Sequence, residues 1–184
     1  MRVAVTGTPG TGKTTATDYF ETHSTAADGT VDDEPTPDLE VIHLNRVLED
    51  EELYTEVDAD RESKVADLEA LSDWLAGRDD VLIESHLAHH FDADRVVVLR
   101  CHPATLEERL LERGETVAKA RENAESEALD VILSEAVEEH GLESVYEVDT
   151  TDRDPEAVAD ELEAVAAGER DPSAGEVDFV GYLT

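Results

Sequence analysis

Gly7-Thr8-Pro9-Gly10-Thr11-Gly12-Lys13-Thr14 follows the spacing G-x-x-x-x-G-K-[ST], with strand-like and helix-like sequence on either side. Arg2-Val3-Ala4-Val5-Thr6 ahead of it reads as a short buried strand, and Thr14 to Phe20 after it reads as the first turns of a helix. Glycines let a backbone wrap an anion with its N–H groups inward, and a helix N-terminus adds partial positive charge. The stretch therefore predicts a phosphate-binding loop for a nucleoside triphosphate. Gly10, Gly12, Lys13, Thr14 and Thr15 are its candidate binding residues. Lys13 is expected to reach the β- and γ-phosphates, and the Thr14 hydroxyl to ligate Mg2+.

Working outward, composition is the second strong signal. The chain has 184 residues, which suits one domain with a real core. It carries 48 acidic against 14 basic side chains, a formal charge of −34, and its only lysines are Lys13, Lys64 and Lys119. Near molar salt the Debye length is about 3 Å, so the self-repulsion of such a surface is largely screened there. The acidity points to a salt-rich cytoplasm and away from an extended surface for nucleic acid. An acidic, disordered interaction protein is the competing reading; 40% hydrophobic content in periodic segments speaks against it. The single cysteine, Cys101, excludes an internal disulfide and fits a reducing interior. Met1 leads straight into a strand, and no apolar run approaches the roughly 20 residues needed to cross a bilayer.

Beyond the first helix, Ser24 to Glu40 reads as an acidic loop containing Pro35 and Pro37. Val41 to Leu44 is a candidate second strand, and Asn45 to Leu53 a helix. Tyr54 to Ser63 reads as polar and irregular, and Lys64 to Ala76 as a helix closed by Gly77. Val81–Glu84 and Arg95–Arg100 are apolar enough for buried strands. A helix opens at Pro103 and closes at Gly114; Thr116 to Glu139 reads as one long helix; Ser144–Val148 and Pro155–Ala167 supply a last strand and helix. This alternation predicts an α/β fold, a five-stranded parallel sheet with helices on both faces and ligands at the carboxyl ends of its strands. Residues 1–167 would form the domain and 168–184 an appended tail, docked or partner-binding.

The phosphate-binding loop does not choose among kinases, motors, switches and transporters. No Asn-Lys-x-Asp guanine-reading motif is present, and the chain is short for a motor. Arg109 and Arg113 share one helix face, with Lys119 and Arg121 close behind. Cations rationed in this way suggest contacts to a transferring phosphoryl group; pairing with Glu108 and Glu112 is the alternative. Glu84, at a strand end, is a candidate for the metal's hydration shell. His86 is a candidate to position a nucleophile, or simply a loop histidine like His89 and His90. Those three histidines also raise a zinc reading, with no cysteine or fourth ligand nearby in sequence.

The run Gly7–Thr15, Glu84-Ser85-His86, the segment Val98–Gly114, Lys119-x-x-x-Asn123 and Glu127-x-x-x-x-Val131-x-x-x-Glu135-Ala136 together resemble the adenylate kinase isoenzyme six family. The resemblance spans about Met1 to Ala167. It implies a P-loop NTPase of nucleoside monophosphate kinase-like fold, with a monophosphate-binding region near residues 43–63 and a short lid near 112–122. It also implies transfer of a phosphoryl group from ATP to AMP, with Mg2+, accompanying ATP hydrolysis and a cytoplasmic location. A role in small ribosomal subunit (16S rRNA) maturation, through transient contact with a platform protein, comes with it. The alternative within the same family is an assembly ATPase acting as a conformational timer. In these roles Lys13, His86, Arg109 and Arg113 would be catalytic, and Thr14 and Glu84 would serve the metal. Glu84 stands where the family motif has Asp, one methylene shorter. The arginine expected to grip a monophosphate is out of register, with Arg46 one helical turn away as a substitute. A small-metabolite kinase on the same core is a further alternative, for which no sugar or acid pocket is legible.

Overall fold

The computed structural model describes residues 1–24, 37–58 and 63–184. Most of the acidic loop between Ser24 and Glu40 lies outside the described residues. From the N-terminus, β1 (Arg2–Thr6) leads through the Gly-rich loop into α1 (Lys13–Ser24), and β2 (Glu40–His43) runs directly into α2 (Leu44–Asp50). Strands β3 (Tyr54–Asp58) and β4 (Ser63–Ala66) precede α3 (Leu68–Leu75). Then follow β5 (Val81–Glu84), a 3-10 turn at Ala88–His90, β6 (Arg95–Arg100), α4 (Pro103–Glu112), α5 (Val117–Ala128), α6 (Val131–His140), β7 (Val145–Asp149) and α7 (Pro155–Ala167).

Five strands form one parallel sheet in the order β2-β5-β1-β6-β7. Alternate residues of each strand face opposite sides, and both sides are covered. Val3, Val5, Leu82, Val97, Leu99 and Val148 meet Ala16 and Phe20 of α1 and Val158, Leu162 and Val165 of α7. Ala4, Ile42, Ile83, Val96 and Val98 meet Leu44 and Leu48 of α2, Leu71 and Leu75 of α3, and Leu133 of α6. Full burial of a side chain such as Phe20 is worth about 2–3 kcal/mol. A smaller cluster, Cys101, Leu106, Leu110, Ala120 and Ala124, joins α4 to α5 beside the carboxyl edge of the sheet.

That edge is where topology places a ligand crevice, because the chain leaves β1 toward β2 and β5 on one side and reaches β6 on the other. Register brings the chemistry together there. Val5 of β1 and His43 of β2 both stand opposite Glu84 of β5, so the end of each strand reaches the crevice at one level.

Three expectations need correction. Thr116–Glu139 is two helices: the chain breaks at Leu129-Asp130, where Asp130 takes a left-handed conformation (φ 54°) and its carboxylate accepts from Arg100. Aspartate tolerates that conformation better than most residues. Ser63–Ala66 is a strand, so the helix expected from Lys64 starts only after Asp67, whose side chain caps it by accepting from the Ala70 amide at 3.0 Å. Tyr54–Asp58, expected to be irregular, pairs with it in an antiparallel hairpin.

The tail packs on the body. Ser173 N donates to Val145 O (3.1 Å), Arg170 Nη2 donates to Glu147 O (2.6 Å), and the Glu176 amide donates to the Glu147 carboxylate (2.8 Å). Tyr182 lies against the α4–α5 cluster and donates its hydroxyl to Glu107 at 2.9 Å. No helix among the described residues is long and apolar enough to cross a membrane.

Candidate active site

The Gly-rich loop is shaped by its glycines. Gly7 sits at φ 142°, and a Cβ there would lie 2.5 Å from Leu99 O, so no side chain fits. Gly12 at φ 89° turns the chain into α1. Thr11 N returns to Thr8 O at 3.2 Å, and Thr11 Oγ1 donates to the same oxygen at 2.9 Å. Inside this ring the Lys13 ammonium is buried and donates to Gly7 O (2.8 Å) and Thr8 O (3.1 Å). Burial pulls its pKa down to about 8, and Arg113 adds to that fall against the opposing pull of Glu84 and Glu127. A buried cation held only by neutral carbonyls is poised for an anion.

Beside it, Thr14 Oγ1 donates to Glu84 Oε1 at 3.3 Å, and His43 Nδ1 donates to Glu84 Oε2 at 2.8 Å. His43 Nε2 is buried without a hydrogen bond, 3.4 Å from Asp18 Oδ1. A hydroxyl and a carboxylate this close are the hard oxygen donors that Mg2+ takes, and the two groups fit such an ion. The longer Glu84 side chain is steadied by the imidazole that β2 supplies.

Three cavities run along the crevice and share walls. The first, about 400 Å³, is lined by Gly10, Thr15, Arg109, Arg113, Arg153 and Val158 among others. The second, about 260 Å³, holds Lys13, Thr14, Glu84, Asn45 and His86, and shares Gly10, Gly12 and Arg113 with the first. The third, about 500 Å³, lies between Leu48, Lys64, Leu68 and Leu87, and shares Asn45 and His86 with the second.

Gly10, Gly12, Lys13, Thr14, Thr15, Glu84, His86, Arg109 and Arg113 converge on the first two cavities, in different states. Arg109 is anchored: its Nη2 donates to Thr150 O at 3.1 Å, and Thr150 Oγ1 donates onward to Thr11 O at 2.9 Å, which ties β7 to the loop. Arg113, at the end of α4, is exposed, and its side chain makes no hydrogen bond or ion pair among the described residues. Neither arginine pairs with Glu108 or Glu112; Lys119 and Arg121 do pair along their own helix, with Glu115 (3.2 Å) and Glu125 (3.1 Å). His86 is partly buried, and burial first, then the charge of Lys13, lowers its pKa to about 4. It is a neutral imidazole at pH 7. Arg46 is exposed and does not line the third cavity; Lys64 is the cation there.

Behind the loop lies a buried polar cluster. Arg100 donates to Glu127 at 2.8 Å and also to Glu147 and Asp130. Glu127 in turn accepts from Thr8 Oγ1 and from the Cys101 amide (3.1 Å). The loop is thus braced by a carboxylate from α5. His43, Asn45 and Thr150 are site residues that sequence reasoning passed over, and Glu127 entered it only within the resemblance, without a role. The rule that ligands gather at strand ends was the available signal for His43 and Thr150, which end or follow β2 and β7.

The family model described as AAA domain matches residues 3–130. A protein of Natronomonas pharaonis named "Putative adenylate kinase" is 61% identical over 183 residues, covering 100% of both chains. A protein of Halobacterium salinarum with the same name is 56% identical over 184 residues, again 100% of each. One from Methanocaldococcus jannaschii is 35% identical over 166 residues, 88% of this chain and 84% of its own. Among solved structures, shikimate kinase from Bacteroides thetaiotaomicron superposes with a TM-score of 0.58 at 20% identity over 91% of this chain and 98% of its own. YorR of Bacillus subtilis does so at 0.57 and 14%, over 92% and 97%. The last two likenesses bear on the fold alone, the five-stranded parallel sheet with its covering helices.

Proposed function

This chain belongs to the AAA domain family of P-loop proteins and to the archaeal group that carries the adenylate kinase name, and from that premise we propose that it transfers the γ-phosphoryl group of ATP to a nucleoside monophosphate, AMP first. One observation carries the reading: two cavities, of about 400 and 500 Å³, each share walls with the small pocket that holds Lys13, Thr14, Glu84 and His86. ATP would lie with its nucleoside in the first cavity and its phosphates over the loop, while AMP would occupy the third.

Phosphoryl transfer asks little covalent chemistry of the protein; positioning and charge stabilisation dominate. The loop amides and Lys13 hold the β- and γ-phosphates. Arg113, exposed and unpaired at a helix end, closes over the γ-phosphoryl group as charge spreads on its oxygens. Arg109 acts beneath it by fixing Thr150 and the loop. Thr14 and Glu84, with His43 behind, hold Mg2+, which when bound neutralises phosphate charge. His86 and Asn45, on the wall common to both substrates, hold the AMP phosphate in line by hydrogen bonds. Being neutral, His86 adds no charge that would bind ground state and transition state alike. Lys64 takes the part of monophosphate grip expected of Arg46. An AMP oxygen bonds to the γ-phosphorus as the bond to the β-phosphate oxygen breaks, and two ADP leave. The segment 112–122, which carries Arg113 and the Gly114 turn, serves as the lid that excludes water.

With the third cavity empty, water takes the acceptor's place and ATP is hydrolysed, more slowly. The acid-rich composition supports work in a salt-rich cytoplasm. The ribosomal role implied by resemblance is favoured by no observation in the structure. Turnover in molar KCl with Mg-ATP tests the proposal. Strong acceleration by AMP, with two ADP formed per ATP consumed, is expected. ADP and inorganic phosphate appearing one for one, unchanged by AMP, CMP, UMP or GMP, would overturn it.

A further inference from the structure

The 3-10 turn that joins β5 to β6 presents two adjacent histidines to α6, away from the three cavities described above. The His89 ring is buried, with Nδ1 2.8 Å from Thr6 Oγ1 and Nε2 3.1 Å from Glu135 Oε2. His90 Nδ1 is 2.7 Å from Glu139 Oε1, and the two imidazole centroids are 4.1 Å apart. Glu135 and Glu139 are one turn apart on α6 and share a face. One ligand atom from each of His89, His90 and Glu135 lies within 4.8 Å of the others. The zinc reading of the sequence counted His86, but His86 lines the phosphate pocket; a glutamate 46 residues beyond His89 completes the group instead.

The Thr6 hydroxyl lies 3.3 Å from His86 O and 2.8 Å from His89 Nδ1, and it orients the His89 ring from one side. Without a metal the neutral ring is satisfied when Thr6 donates to Nδ1 and Nε2–H donates to Glu135. In the other tautomer Nδ1–H donates to Thr6 Oγ1, Thr6 donates to His86 O, and Nε2 offers its lone pair to a metal beside the Glu135 carboxylate. Ligand atoms about 3.3 Å apart suit a tetrahedral ion with bonds near 2.0–2.1 Å, and an imidazole whose other nitrogen is fixed by a hydrogen bond is the usual form of a histidine ligand.

We propose that His89, His90 and Glu135, with Glu139 at the fourth position, bind one divalent ion of the zinc class and so staple α6 to the β5–β6 connection. Two imidazoles with carboxylates favour Zn2+ over Mg2+ or Ca2+, which take oxygen alone. The site lies outside the phosphoryl-transfer machinery and its test does not depend on activity. Chelator-treated full-length protein in molar KCl at neutral pH is titrated with Co2+ as a spectroscopic probe, then with Zn2+. Intense visible bands of four-coordinate Co2+, saturating at one equivalent and bleached by Zn2+, are expected, together with a higher melting temperature in Zn2+. E135Q and H90A, at incompletely buried positions, should each weaken binding at least tenfold, and E138Q on the same helix should leave it unchanged. Absence of the bands, or bands that survive both E135Q and H90A, would overturn the proposal.

Discussion

The two cations proposed to meet the phosphates stand in opposite states. Lys13 is buried and already held by the carbonyls of Gly7 and Thr8, whereas Arg113 is exposed and unpaired at the end of a helix. The first is preorganised at a cost to stability, since burial disfavours its charge. The second costs the free fold almost nothing and must move to act. Binding and folding therefore oppose each other at Lys13, and they are independent at Arg113.

Substitution separates the two most sharply. K13M should abolish turnover, by on the order of 10³-fold or more in kcat/KM, while making the ligand-free protein more stable to urea by about 2–3 kcal/mol. Lower stability in K13M would break the contrast. R113A should lose about 10²–10³-fold in kcat, with its denaturation midpoint moved by no more than about 0.5 kcal/mol. A large effect on stability there would mean that Arg113 is a structural residue. Between these extremes stands Glu127, which braces the loop from behind: E127Q should cost about 3 kcal/mol of stability by leaving Arg100 underpaired, and should weaken ATP binding through Thr8.

The most gradual effect is the pH dependence of stability without ligand or metal. The Lys13 pKa is about 8 folded against 10.5 unfolded, so between those values the unfolded chain binds the extra proton. Stability should rise with pH across that window, by up to about 1.4 kcal/mol per pH unit, and the rise attributable to Lys13 should vanish in K13M. Equal slopes in the two proteins, from urea melts, would show that burial does not depress Lys13.

The two ends of the crevice also differ in how far the chain announces them. The donor end is built by contiguous residues, Gly7 to Thr15, whose conformations follow from their own φ requirements and spacing, and the flanking strand and helix were equally plain. The acceptor end is assembled by pairing at a distance. His43 matters because β2–β5 register sets it against Glu84, and Asn45 comes from α2 while Lys64 comes from the second strand of the hairpin. The hairpin itself was hidden because Val65 and Leu68 complete a helical spacing, yet both are exposed and neither reports on the core. The break at Asp130 was hidden for a related reason: the left-handed turn is held by Arg100, 30 residues earlier. Arg46 looked useful by sequence distance, but it is exposed and does not line the cavity that Lys64 lines.

The central claim is that the three cavities form one track along which a phosphoryl group passes. Two adenosines joined by five phosphates reproduce ATP and AMP linked at the point of transfer, and calorimetric titration of that molecule tests the claim most directly. One molecule should bind per chain, at least 100-fold tighter than ATP because two ligands are tethered, and the saturated protein should take up neither ATP nor AMP. If the saturated protein still binds AMP, the second-substrate cavity is not part of the track, and the account fails.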